Sequence, residues 1–213
     1  MAYRTSEKVR QKKDAKRTAL MQTALQVFAE KGYHAATVRD IVNKAGVAIG
    51  TFYFYFPDKE TLFSYLYEET AEFLVLSVEQ SMMNRSTIHQ QIMAAVQGYI
   101  NIALYEPAVI HLLLIGGIGA IPSLMEKRSI FRERIVQMWF QLLESAAEQD
   151  LIPQQNLRRV AEAVAGACDE VLLHLLEQPT REAESEAATR DLTIFILRAI
   201  GFRSQAADKK TSE

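Results

Sequence analysis

The stretch Thr37–Glu60, TVRDIVNKAGVAIGTFYFYFPDKE, constrains this chain more than any other part of it. It reads as a short helix, a glycine turn, a second short helix rich in aromatics, and the cap of a long helix. Thr37 suits an N-cap, and Asp40 three residues later can reach back to it in a weak form of the capping box. Ile41 and Val42 give the first helix an apolar side, and Gly46 can take the positive φ that ends it sharply. Val47 restarts the apolar pattern, and Ala48 to Tyr55 forms the second helix. Two short helices about one turn-glycine apart are the layout of a helix-turn-helix, whose second helix lies in the DNA major groove.

Charge is distributed to match. The net charge is −2, yet residues 1–60 hold 11 Lys+Arg against 6 Asp+Glu, and the remainder is correspondingly acidic. A small basic head on an acidic body is the electrostatic footprint of a nucleic-acid reader. With 9 Gly and 5 Pro in 213 residues and few alternating β-branched runs, the expected class is all-α. The lone Cys168 excludes an internal disulfide framework and suits a reducing cytoplasm. No apolar run approaches the roughly 20 residues of a membrane span, and the basic N-terminus lacks the apolar stretch of a secretory signal.

Along the chain, residues 1–13 read as a polar, basic, frayed arm. Its Arg4, Lys8, Arg10, Lys12 and Lys13 form either a solvated tail or added phosphate or minor-groove contacts. A helix follows from Asp14 to Glu30, ended by Gly32. His34 in the next loop is structural or phosphate-facing. Pro57 stops the second short helix and Asp58 caps a long one, Lys59 to Met83, which is apolar over a wide arc and links the head to the body. Ile88–Tyr105, Ala108–Ile115 after Pro107, Lys127–Gln149, Leu157–Glu177 and Glu182–Ile200 are the remaining helices. The glycines between Gly116 and Pro122 lack a preceding strand and a complete GxGxxG, so they read as a flexible connection rather than a phosphate cradle. The expected organisation is an arm and helix-turn-helix domain at 1–57, a helical effector and dimerisation domain at 58–203, and a disordered tail at 204–213. About nine helices are expected, three of them in the head.

On the second short helix, Val47, Phe52 and Phe56 are expected to face inward. Tyr53 and Tyr55 offer hydroxyls to phosphates. Ala48, Ile49 and Gly50 suit thymine methyls and close backbone approach, and Thr51 suits a base edge or a phosphate. With no Arg, Asn or Gln there, direct readout is modest, and Arg39, Lys44 and DNA shape assist. Thr37 and Lys59 stand at helix N-termini, which attract phosphate.

The run Gly46 to Phe56, followed by Asp58-Lys59-Glu60-Thr61-Leu62, resembles the signature of the TetR family of bacterial repressors, usually G-V-S-x-G-T-x-Y-x-H-F-x-x-K-E-x-L. The likeness covers roughly residues 15 to 63. Tyr55 stands where His is commonest, and Val42 where the family prefers Ala at closest helix approach, so the two short helices are expected to be slightly spread. The resemblance implies backbone contacts at Thr37 and Lys59, and a small-molecule cavity walled by the long helix and the three after it. Wall material is at hand in Phe73, Ser77, Met93, Tyr99, Met125, Met138 and Trp139, each of which also fits plain core. Arg128, Arg132 and Arg134 read as either an anchor for an anionic head group or a solvated face.

The last two helices carry more apolar surface than a solvent-facing pair needs. Val164, Cys168, Val171, Leu172, Leu175, Leu192, Phe195 and Ile196 fit either ordinary core or a self-association surface. The resemblance implies a four-helix homodimer interface there. His111 and His174 read as core or interface residues. No catalytic set, metal site or cofactor is indicated, since one Cys and four scattered His lack useful spacing. The expectation is a cytoplasmic, homodimeric regulator released from a palindromic double-stranded operator by a small, largely hydrophobic ligand. A constitutive DNA-binding regulator, an activator and a helical adaptor are the rival readings.

Overall fold

The computed structural model describes residues 7–203 apart from 117, 118 and 120, with side chains described from Ala15 onward. Nine α-helices and one π-helical turn make up the described regular structure: α1 (Glu7–Ala35), α2 (Val38–Ala45), α3 (Ile49–Tyr55), α4 (Lys59–Met82), α5 (Ile88–Tyr105), α6 (Pro107–Ile110), the π turn (His111–Gly116), α7 (Leu124–Glu148), α8 (Leu157–Glu177) and α9 (Arg181–Ala199). The all-α expectation is met, with two departures. The backbone is helical from Glu7, so much of the expected arm belongs to α1, while Arg4 and the tail from 204 lie outside the described residues. Gly32, at φ 74 and ψ 164, leaves helical geometry and ends the first stretch of α1 where expected, and a short further turn follows to Ala35. The expected helix over 108–115 is one turn of α-helix passing into the π turn, a widening that no sequence period announces.

Local chemistry sets the helix starts. The Thr37 hydroxyl accepts from the Asp40 N–H at 3.1 Å while Asp40 Oδ2 accepts from the Thr37 N–H at 2.9 Å, a complete capping box. Asp58, Thr87 and Asn156 cap α4, α5 and α8 through the backbone N–H of Thr61, Gln90 and Arg159. Gly46, in the left-handed region at φ 66, ends α2.

One continuous core runs through head and body. In the head, Leu20, Ala24, Val27 and Phe28 of α1 bury against Ile41, Val42, Phe52 and Phe56. Phe28 meets Phe63 of α4 edge-on, with ring centroids 4.8 Å apart. In the body, α5 is the central helix, packing on α4, α8 and α9, while α7 packs on α8 and α4. At the far end of α4, Ser81 Oγ donates to the carbonyls of Val78 and Ala94 at 2.6 and 2.8 Å. Gly98 lets the two helices close there, because a Cβ in its place would sit 2.9 Å from Ser81 Oγ.

Two sequence-derived surfaces need correction. Phe73 and Met93, expected as cavity wall, are 46% and 44% exposed on the outside of α4 and α5. Six residues expected at a dimer interface, Val164, Cys168, Leu172, Leu175, Leu192 and Ile196, are buried in the chain's own core, because α8 and α9 turn those stripes toward α5 and each other. The apolar surface left outside is Phe195 and Ile194 on α9, with Val171 half-buried on α8.

Candidate nucleic-acid interface and body cavity

The head presents one face that the core does not use. Phe52 and Phe56 lie one turn apart and are both buried, so residues about half a turn away must point outward. Gly50, Tyr53 and Phe54 are accordingly exposed, Ala48 and Ile49 are exposed at the start of the helix, and Thr51 and Tyr55 are half-buried. Phe54, 64% exposed and edge-on to the Tyr55 ring, went unnoticed in the sequence, although a residue two places from each of two inward phenylalanines has to face away. Asn43, exposed on α2 beside Lys44, is a further polar group that the sequence reading passed over.

The basic groups around this face differ in how free they are. Arg39 is exposed and has no ion-pair partner among the described residues. Lys44 is paired with Glu30 at 2.5 Å, and Lys31 with Asp40 at 2.7 Å. The Lys31 and Thr37 hydrogen bonds hold the Asp40 carboxyl down at about 2. Thr37, expected at phosphate, spends its hydroxyl and its N–H within the capping box.

Lys59 departs most from expectation. Its ammonium donates to the carbonyls of Tyr33 and Ala36 at 2.6 and 2.8 Å and lies 4.3 Å from the centre of the Tyr33 ring. Burial lowers its pKa from the ordinary lysine value. The side chain reaches the loop between α1 and α2 instead of projecting toward phosphate, and so fastens the first residue of α4 to the head. Arg17 of α1 adds a second fastening, its guanidinium 4.4 Å from the centre of the Tyr65 ring on α4.

The body holds a half-open cavity of about 520 Å³. Tyr67 of α4 and Leu113 and Leu114 of the π turn form one side. Met125, Arg128, Ser129, Phe131 and Arg132 of α7 form another, and Gly166, Asp169, Glu170 and Leu173 of α8 close it. Of the seven residues expected to line a cavity, Met125 lines this one; Ser77 is half-buried outside its lining, and Tyr99, Met138 and Trp139 are buried. Arg128 and Arg132 do face the cavity, whereas Arg134 pairs with Glu72 of α4. Burial pushes the Tyr67 hydroxyl up to about 12, so it is a neutral hydrogen-bonding group there.

Polar groups in and behind the cavity are unevenly satisfied. Arg132 donates to Asp169, whose carboxyl burial holds above the ordinary range despite that partner. Arg128 Nη1, His111 Nδ1, the Tyr99 hydroxyl and Trp139 Nε1 are buried without a hydrogen-bond partner among the described residues. Burial lowers the His111 pKa, favouring the neutral ring. The Tyr99 hydroxyl is pushed well up by burial.

The helix that lines the cavity also grips the linker. Ser123 bonds Glu60 at 2.8 Å, Lys127 pairs with Glu68, and Arg134 with Glu72, spacing three contacts along α4. No group of three or more metal-ligating side chains occurs among the described residues, and no single helix there is long and apolar enough to cross a membrane.

Residues 20–66 match the sequence profile of the bacterial regulatory proteins of the tetR family. The fatty acid metabolism regulator protein of Bacillus subtilis (strain 168) is 33% identical over 73 residues, which cover 34% of this chain and 38% of that protein. The HTH-type transcriptional repressor KstR2 of Rhodococcus jostii (strain RHA1) is 44% identical over 50 residues, 24% of each chain. The matched segment thus spans less than half the length of these curated relatives. Solved structures resemble the chain over most of its length. The transcriptional regulator FadR from Bacillus subtilis, in complex with stearoyl-CoA, superposes with a TM-score of 0.72 at 19% identity, over 83% of this chain and 97% of that one. The fatty acid degradation regulator FadR from Bacillus halodurans gives 0.77 at 22%, over 88% and 97%. At such identities the structural likeness carries the fold alone, and the likeness to the tetR family of bacterial regulatory proteins is carried by residues 20–66 of the head.

Proposed function

We propose that this protein is a cytoplasmic, homodimeric repressor that binds a palindromic double-stranded operator and is released from it by a small, largely hydrophobic ligand held in the body cavity. The observation that carries the reading is that α7 both lines that cavity and contacts α4 at three points, while α4 is fastened to the reading head by Lys59. The match of residues 20–66 to the tetR-family profile supports DNA binding, and a neighbour with this fold, in complex with stearoyl-CoA, supports an amphipathic ligand.

On this reading Ala48, Ile49, Gly50, Thr51, Tyr53 and Tyr55, with Phe54, meet the major groove, and Arg39 and Lys44 approach the backbone. Lys44 must exchange Glu30 for phosphate to do so. Thr37 offers the N-terminus of α2, and Lys59 positions the head. One α3 of seven residues covers only a few base pairs, so two heads are needed, joined through the outer face of α8 and α9 around Phe195, Ile194 and Val171. Ligand acts as inducer only if it binds the DNA-incompetent head spacing more tightly than the competent one. Moving the ratio of the two states from 1:99 to 99:1 takes roughly 5.5 kcal/mol of differential affinity.

Selecting bound fragments from the source genome tests the DNA half. The expected result is an enriched palindrome with two half-sites about one helical turn apart. No enrichment over random DNA would overturn the repressor reading. An operator complex unaffected by every ligand that binds the body would leave a constitutive DNA-binding protein.

A further inference from the structure

Building on the reading of the cavity as the effector site, we propose that its ligand is a monocarboxylate with an apolar body, its carboxylate anchored by Arg128 and taking Arg132 from Asp169. The placement of charge carries this. Arg128 projects from α7 into the cavity, its Nη1 is buried, and no acceptor or ion-pair partner for it exists among the described residues. A guanidinium N–H removed from water without an acceptor is expensive, so the site is left incomplete by the chain itself.

Four residues away on the same face, Arg132 already holds a carboxylate, that of Asp169. This internal pair shows what kind of group the cavity accommodates, and it places a second planar donor fork beside the first. An incoming carboxylate matches a guanidinium in the bidentate geometry that neither an alcohol nor an amine offers.

Charge count sets the valence. Arg128 and Arg132 balance Asp169 and Glu170, so the cavity is neutral before anything enters. A monoanion adds a single charge next to the unpartnered cation, whereas a dianion such as a phosphate monoester would add two, beside two carboxylates in a half-enclosed space. Besides the hydroxyls of Tyr67 and Ser129, the remaining walls, Leu113, Leu114, Phe131, Met125 and Leu173, are apolar and suit an alkyl or aliphatic ring body. Asp169 thereby acts as a competitor built into the site. It keeps Arg132 occupied in the empty state and lowers affinity for any ligand that cannot displace it.

The experiment is calorimetric titration of the full chain with octanoate, dodecanoate and palmitate, and with dodecanol and dodecyl phosphate, each below its aggregation threshold. Operator binding is measured in parallel. At least one carboxylate should bind more tightly than dodecanol or dodecyl phosphate. Arg128→Met should weaken that carboxylate about 10- to 100-fold and leave dodecanol unchanged. Arg128→Lys, which keeps the charge but loses the fork, should fall between. Asp169→Asn should tighten carboxylate binding several-fold. Melting curves of the variants show that each is folded.

Dodecanol binding as tightly as every carboxylate, or an Arg128→Met variant with unchanged carboxylate affinity, would overturn the proposal while leaving the cavity as a ligand site. Failure of all the carboxylates to bind would overturn it outright. Arg128-dependent binding that leaves operator affinity unchanged would support the carboxylate site and sink the effector reading on which it builds.

Discussion

Replacing Lys59 by Met separates two roles that one lysine at this position can have. In the structure its ammonium bridges the Tyr33 and Ala36 carbonyls and stands over the Tyr33 ring. Methionine keeps the stem and removes all three contacts. A hydrogen bond to a charged group is worth about 1.5–3 kcal/mol, and an exposed cation–π contact about 0.5–1 kcal/mol. The site is half-buried, and water can rehydrate both carbonyls, so the net loss should be nearer 1–2 kcal/mol in total. For a chain of this size that is a fall of about 2–8 °C in Tm. The decisive assay is operator affinity against salt. A lysine neutralising a phosphate contributes roughly 0.9 to the slope of log K against log salt, and a dimer would lose nearly twice that. With the ammonium committed to the α1–α2 loop, Lys59→Met should weaken operator binding several-fold at every salt concentration and leave the slope unchanged. A slope flattened by about two, with Tm intact, would refute the positioning role and return Lys59 to the phosphate backbone.

Tyr53→Ala should weaken operator and non-operator DNA alike without lowering Tm, since the ring is 55% exposed; equal DNA affinity would remove Tyr53 from the interface. Asp40 is held down at about 2 in the fold, so the capping box contributes fully above about pH 4 and its contribution disappears as pH falls toward 2. An Asp40 carboxyl titrating in the ordinary range by NMR would contradict the box. Phe195→Glu should give monomers in sedimentation at micromolar concentration with helical content unchanged, whereas Leu172→Ala should cost about 2–5 kcal/mol of stability, because Leu172 is 1% exposed. A Phe195→Glu dimer would place the interface elsewhere.

The head was readable because its determinants are local. Thr37 and Asp40, Gly46, Pro57 and Asp58 each act within a few residues, so their chemistry shows in the order of letters. The body was less so. Leu62, Leu66, Phe73 and Leu76 lie on one stripe of α4, yet the first two are buried and the last two are 46% and 51% exposed. A helical period identifies a face, and it carries no record of where the neighbouring helices stop covering it. The α8 and α9 stripes failed for the converse reason. They mark a buried face, and burial against α5 and burial against a second subunit leave the same periodic signal. The cavity was harder still, since it is made by the π turn and by an Arg132–Asp169 pairing 37 positions apart in sequence.

The Ser81–Gly98 junction turns α4 into a lever. Its far end is sutured to α5 by the Ser81–Ala94 hydrogen bond and a glycine contact, so tilting is resisted there, and the displacement accumulates toward Lys59. At about 1.5 Å per residue the arm is roughly 36 Å long, and a tilt of about 3° at the junction carries the head some 2 Å. Two arms swinging oppositely change the separation of the recognition helices by about 4 Å, a large error against a groove repeat of about 34 Å. In the proposed dimer, a body that deforms by no more than a side chain's breadth would therefore be sufficient to take both heads off their register.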